Sequence, residues 1–236
     1  MICISIVSHG HAKMVEILIK QIVNLSLVEQ IILTFNIPEQ FQNIDDNRIK
    51  IIQNNKQVGF GANHNKAFKV CKQPYFCVLN PDVQLINDPF VILLKHLENN
   101  YISLIAPLVI TKSGEIEDSA RVFPTLLSIA KKILLSDEGR WNLDMEETIN
   151  YPDWVAGMFM LFKSDKFAKI SGFNEKFFLY YEDVDICRRF KIAGYKIGLC
   201  TEINIIHIAR RDSRKKLKYL FFHLKSLIQF FLTRYK

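Results

Sequence analysis

Residues 75–82 read Tyr-Phe-Cys-Val-Leu-Asn-Pro-Asp, an apolar run closed by a polar turn. Five apolar residues bounded by turn chemistry form a buried strand, and whatever stands in the turn is held at that strand's carboxyl end. Outward from this point the same pattern recurs. Ile2 to Ser8, Gln30 to Asn36 (QIILTFN) and Arg48 to Gln53 (RIKIIQ) are strand-like. Between them, residues 12–24 place Val15, Leu18, Ile19 and Ile22 at helical spacing. The loop QVGFGANHN (57–65) opens a short helix through Val70, and 89–99 is again helical. Short strands alternating with such helices argue for a parallel sheet covered on both faces. Ligands of such sheets bind beyond the carboxyl ends of the strands. That gathers Ser8-His9, Asn36, the 57–65 loop and Asn80-Pro81-Asp82 at one edge.

The second half is less regular. Leu104 to Ile110 is strand-like and followed by a Ser113-Gly114 turn; 125–136 is helical; 137–153 is polar and turn-rich, a candidate mobile loop. Trp154 to Phe162 (WVAGMFMLF) reads as one buried strand containing Gly157. Glu182 to Ala193 is a helix, Lys196 to Ile208 one or two strands, and the chain from about Arg214 a last helix. The expected organisation is one α/β domain over 1–211 and a basic amphipathic helical extension over 212–236.

Composition narrows the function. With 49% hydrophobic and 23% charged residues the chain is globular, and no apolar stretch is long enough to span a bilayer. The start MICISIVSHG has no basic leader or cleavage site. Five scattered cysteines without paired metal spacing indicate reduced thiols and a cytoplasmic location. The net charge of +7 is concentrated at Arg210, Arg211, Arg214, Lys215, Lys216 and Lys218. That run carries no groove-reading motif and adjoins a very apolar helix, so no nucleic-acid partner is expected.

Four constellations carry candidate chemistry. Asp82 after a buried strand offers a hard oxygen for a divalent cation, although Asn-Pro-Asp is also ordinary turn chemistry. Gly59 and Gly61 at a helix start would let a phosphate approach the backbone, although a plain strand-to-helix loop looks the same. Phe177 to Asp185 (FFLYYEDVD) sets three acids behind an aromatic wall, where a carboxylate gains the basicity of a general base. Asp183 is the candidate; Asp185 stands four residues before Arg189 and reads as an ion pair. His207 closes the run INIIHI ahead of Arg210 and Arg211, a candidate ligand with phosphate-clamping arginines.

The segments IVSHG, GFGANHN, LNPDV, WVAGMFMLF and GFNEKFFLYYEDVDICRRFKIAGY with IIHIARR, in this order, resemble the bacterial family 2 glycosyltransferases, in the style of their rhamnosyltransferase-like subgroup. The resemblance covers roughly Ile2 to Arg211. It implies a GT-A fold: a Rossmann-like mixed sheet with helices on both faces. It also implies an inverting, metal-assisted transfer of a sugar from a nucleotide-diphosphate donor. Asp82 matches the second acid of the family's metal-binding pair, and Asn80 stands at the first. His207 matches a further ligand for Mg²⁺ or Mn²⁺. Asp183 matches the general base. Ser8, Asn36, Gly59, Gly61 and Asn65 fall on the donor side, although LTFNIPE departs from the family pattern there. Trp154, Gly157 and Glu182 fall on the acceptor side, with core packing the alternative for Trp154. Arg210 and Arg211 fall on the diphosphate. The acceptor class is a glycan or lipid-linked glycan of bacterial surface polysaccharide or lipopolysaccharide synthesis. Residues 215–236 are a candidate peripheral contact with the inner face of the membrane. The competing readings are a sugar nucleotidyltransferase and a nucleotide-sugar-binding protein with a decayed metal site.

Overall fold

The computed structural model describes residues 1–42, 44–125, 127–129, 139–208 and 217–235. Strands β1 (Ile2–Ser8), β2 (Val28–Phe35), β3 (Ile49–Gln53) and β4 (Tyr75–Leu79) pair in parallel in the order β3-β2-β1-β4. Helices α1 (Ala12–Ile22), α2 (Phe60–Phe68) and α3 (Phe90–Asn99) lie between or after them. Alternation along β1 fixes the layering. Ile2, Ile4 and Ile6 enter one core with Val15, Leu18, Ile19 and Ile22 of α1 and with Phe90 and Leu93 of α3. Cys3 points to the other core, with Ala67 of α2, Phe167 and Phe190. Side chains two residues apart share a face, so a strand apolar at every position needs cover on both.

The sheet is mixed, where the first half of the sequence by itself argued for a parallel one. Beyond β4 it continues β10-β6-β11-β5, with β6 spanning Ile102–Ile110, β10 Phe159–Lys163, β11 Lys196–His207 and β5 Val83–Leu85. β10 is antiparallel to both β4 and β6, while β11 runs parallel to β6. Strands β1, β2, β4, β6 and β11 therefore end at the same edge, and β10 begins there.

The WVAGMFMLF segment is not one strand. β9 (Trp154–Val155) pairs with β7 (Ala120–Arg121) in a separate small sheet, and the chain turns at Gly157 before entering β10. The described part of the polar 137–153 segment is tied down rather than loose. Arg140 bridges to Arg121, and β8 (Ile149–Asn150) pairs with β11. Of the expected 125–136 helix, 130–136 and residue 126 lie outside the described residues; 127–129 are helical. Helices α4 (Ser164–Lys169) and α5 (Glu182–Ile192) complete the second face.

The last helix, α6 (Leu217–Leu232), is seated on the domain. Its Ser226 Oγ donates to Leu179 O at 2.8 Å, Phe222 stacks on Phe178 at 5.0 Å, and Phe230 packs against Tyr181 at 5.6 Å. The expected boundary at 211/212 lies outside the described residues.

Candidate active site

The sheet edge brings Asp82 and His207 together across 125 residues of chain, because β5 pairs with β11 at Val83↔His207. Ile208 N donates to Asp82 O at 2.8 Å, and His207 Nε2 lies 3.4 Å from Asp82 Oδ2. Asp82 Oδ1 is buried without a hydrogen-bond partner. The imidazole's other nitrogen, Nδ1, is 2.9 Å from Glu117 Oε2. Burial pulls the His207 pKa down, but Asp82 and then Glu117 outweigh it, and the imidazole is raised above its ordinary value. Sequence reading missed Glu117. The signal was the Ser113-Gly114 turn, which folds the chain back along the end of β6, where Glu117 N donates to Val109 O at 2.8 Å.

Asp183 stands in a second place at the same edge. A cavity of about 290 Å³ is lined by Arg121, Trp154, Tyr181, Glu182, Asp183 and His223, among others. Asp183 Oδ2 accepts from Gly157 N at 3.1 Å and Oδ1 from Val184 N at 2.9 Å. Burial raises the Asp183 pKa above its ordinary 3.8, against the lowering effect of these N–H donors and of Arg121. Tyr180 and Tyr181, immediately before the acids, have φ of 69° and 65°. Such left-handed geometry costs non-glycine residues of order 1–3 kcal/mol each and marks a backbone overruled by its surroundings. Trp154 borders the cavity, with Nε1 donating to Val122 O at 3.0 Å.

Adjacent peptide units join the two places. Asn80 N donates to Met158 O at 2.9 Å, while Gly157 N donates to Asp183. The turn that carries Asp82 and the first turn of α5 are thus held by the one break between β9 and β10. Asp185 has the structural task read for it: Arg189 Nε donates to its Oδ2 at 2.8 Å, and Tyr235 Oη donates to its Oδ1.

Several residues expected on the donor also hold other segments of the chain in place. A Cβ on Gly59 would meet Phe178 O at 2.7 Å, and one on Gly61 would meet Phe173 Cβ at 2.6 Å. These glycines admit the Phe173–Phe178 segment against α2. Asn65 Nδ2 donates to Phe173 O at 2.8 Å and its Oδ1 accepts from Phe173 N at 2.8 Å, which clamps the same segment. Asn36 is 7% exposed and uses its amide on Val58, donating to O at 3.0 Å and accepting from N at 2.9 Å. Ser8 Oγ donates to Glu39 Oε2 at 2.8 Å, and Gly10 N and Ala12 N donate to the same carboxylate. Glu39, the last residue of LTFNIPE, thus fills the amino end of α1 with the protein's own anion. Arg210 and Arg211 lie outside the described residues.

Glu182 is buried beside Asp183, and its Oε2 has no partner. Burial, and then the Asp183 charge, push its carboxyl well above the ordinary range. The fold therefore prefers the protonated form. The stability this gives is complete below the unfolded-state pKa and is lost as pH rises through the folded one. Glu182→Gln is expected to be more stable than the parent at neutral pH by roughly 1–3 kcal/mol, the cost of an unpaired buried group. The gain should vanish near about pH 4, where the parent is protonated in both states. Thermal melts across this range check it; a pH-independent difference would contradict it.

Residues 34–166, more than half of the 236, match the family model described as Glycosyl transferase family 2. The chain belongs to that family. Residues 143–214 also match the model described as N-terminal domain of galactosyltransferase. Rhamnosyltransferase WbbL of Escherichia coli (strain K12) is 27% identical over 98% of this chain and 92% of its own. An N-acetylglucosaminyl-diphospho-decaprenol L-rhamnosyltransferase of Mycobacterium tuberculosis (strain ATCC 25618 / H37Rv) is 26% identical over 56% of this chain and 46% of its own. Two solved structures share the fold. GalNAc-T7 with UDP, GalNAc and Mn²⁺ is 12% identical, has a TM-score of 0.67, and is matched over 90% of this chain and 44% of that one. Mannosyltransferase PcManGT from Pyrobaculum calidifontis with GDP-Man and Mn²⁺ is 11% identical, has a TM-score of 0.63, and is matched over 97% and 64%. The family 2 protein is a glycosyltransferase of GT-A fold, and the nucleotidyltransferase alternative is not favoured.

Proposed function

We propose that this family 2 enzyme moves a deoxyhexose or hexose from a nucleotide-diphosphate donor to a glycan or lipid-linked glycan acceptor, by one inverting displacement. The rhamnosyltransferase relatives, one acting on a diphospho-decaprenol acceptor, favour rhamnose and surface-glycan assembly. The observation that carries the reading is the Gly157-Met158 tie, which sets a buried carboxylate of raised pKa against the turn of Asp82.

The Asp82–His207 pair suits a divalent cation. The orphaned Asp82 Oδ1 is a hard oxygen awaiting a partner, and Glu117 orients the imidazole from behind. Mg²⁺ or Mn²⁺ held there would neutralise charge developing on the diphosphate leaving group. Asp183 takes the proton of the acceptor hydroxyl. Its two N–H donors fix the carboxylate's direction, and the apolar wall keeps it basic. Trp154 offers the acceptor sugar an aromatic face beside Asp183, and Gly157 adds no side chain between them. Attack opposite the diphosphate inverts the anomeric carbon. Incubation with a panel of UDP-, dTDP- and GDP-sugars and a lipid-linked acceptor, with NMR of the product, tests this. Transfer with inverted configuration is expected; retained configuration would discard the single displacement.

The outer face of α6 favours peripheral membrane contact. Leu217, Phe221, Ile228 and Leu232 are 86%, 63%, 59% and 73% exposed, and Leu220 and Leu224 lie between them. The sequence of this segment also fits a helix packed into the enzyme or a dimer interface, beside the interfacial helix. The helix has an inner face packed on Phe178 and Tyr181 and an outer face that remains apolar. With Lys218 and Lys225 on the helix, and a basic run at 210–216 preceding it in the sequence, that outer face suits an anionic bilayer surface. Among the described residues no helix is long and apolar enough to cross a membrane. The double variant Phe221→Glu/Leu224→Glu alters the outer face alone. It should lose co-sedimentation with anionic vesicles while still turning over a soluble acceptor; unchanged vesicle binding would remove the membrane role of this face.

A further inference from the structure

Away from the active site, β11 breaks its register with β6. Cys200 pairs with Pro107 and Asn204 with the next residue, Leu108, so Thr201–Ile203 bulge out. Proline has no N–H for the ladder, and bulges collect where pairing fails and side chains are re-aimed. Thr201 turns to β8, its N–H donating to Thr148 O at 3.0 Å and its Oγ1 to Glu147 O at 2.7 Å. Glu202 turns to α3, where its carboxylate meets His96 Nε2. The Cys200 thiol lies beneath them, fully buried. One ligand atom from each of His96, Cys200 and Glu202 lies within 4.8 Å of the others.

We propose that this bulge is a binding site for a borderline-soft divalent cation of the Zn²⁺ class, separate from the Asp82–His207 pair. One imidazole nitrogen, one thiolate sulfur and one carboxylate oxygen form a mixed donor set that suits Zn²⁺ and not Mg²⁺. Charge favours it as well: thiolate and carboxylate together cancel two positive charges, so the complex is neutral where it is least hydrated. On binding, the Cys200 S–H bond breaks, the sulfur's electron pair goes to the cation and the proton leaves to buffer. The cation's own charge stabilises the thiolate in this buried place. His96 turns its Nε2 lone pair to the cation and keeps its proton on Nδ1. That nitrogen lies 3.3 Å from the Asn100 amide, which can present its oxygen as the outer partner. The exposed side of Glu202 leaves a fourth position for water. Bound metal would staple α3 to β11 at the place where the ladder is interrupted.

Co²⁺ titration of the intact chain in excess Mg²⁺ tests the site, since Mg²⁺ competes for the oxygen-rich pair and not for a thiolate. One equivalent should bring in sulfur-to-cobalt charge-transfer absorption, Zn²⁺ should bleach it, and one equivalent of Zn²⁺ should raise the melting temperature. Asp82→Ala should retain the band, and Cys200→Ser should lose it. Glu202→Gln, at an exposed position, should weaken Co²⁺ binding by roughly tenfold or more, the scale set by perturbing a metal site's ligand shell. Absence of the sulfur band from the parent, its persistence in Cys200→Ser, or unchanged affinity in Glu202→Gln would each overturn the proposal.

Discussion

Asp183→Asn is expected to reduce sugar transfer by roughly 10²–10⁴, the range contributed by a positioned general base. Asn keeps the shape of the side chain and one of its two acceptor oxygens, so one of the bonds from Gly157 N and Val184 N is kept and the other is given up. What is lost is an oxygen able to take the acceptor's proton. Donor binding should therefore survive, and the loss should fall on kcat. The pH profile gives a second measure. The parent needs Asp183 ionised, and its pKa is raised by burial. Its kcat should accordingly fall on the acid side with a midpoint above that of an exposed aspartate, and this limb should disappear in the variant. Near-normal turnover in Asp183→Asn would remove the base assignment.

The second large effect concerns the cation. Activity should be abolished by EDTA and restored by Mn²⁺ or Mg²⁺. Asp82→Ala should weaken metal-dependent donor binding most, because it removes a charge and the orphaned oxygen together. His207→Ala should cost less, and Glu117→Gln should cost roughly 10–100-fold in metal affinity, as loss of an outer partner does. Among the described residues the Glu117 carboxylate meets the far nitrogen of the imidazole, so its effect should appear in metal affinity and not in acceptor KM. Calorimetry of donor binding with and without Mn²⁺ separates the three. Full activity in EDTA would exclude a metal role for Asp82 and His207 alike.

The elements of the sheet were legible in the sequence because each rests on a local rule. YFCVL is apolar at every position and becomes β4, covered on both faces. Val15, Leu18, Ile19 and Ile22 repeat at helical spacing and are the buried residues of α1. The acids of EDVD at a helix start were legible for the same reason, and so was the Asp185–Arg189 pair, one helical turn apart. What the sequence left open is any task that depends on a remote segment. Gly59 and Gly61 look alike whether a phosphate or Phe173 and Phe178 will occupy the space above them. Nothing within GFGANHN says that a segment more than a hundred residues later will arrive there.

The sequence by itself determined the alternation of strands and helices, the buried stripe of α1, and the place of Asp82 at the sheet's working edge. Those follow from side-chain period and turn chemistry within a few residues. The tertiary structure alone decided that β10 runs antiparallel between β4 and β6, and that Glu117 stands behind His207. It alone decided that Glu39 fills the start of α1, and that α6 lays its inner face on the Asp183 pocket and leaves its outer face bare. Each of these is a pairing between distant segments. Many registers would satisfy local preference equally well, and the choice among them is made by burial and by hydrogen bonds that form only when both partners are in place.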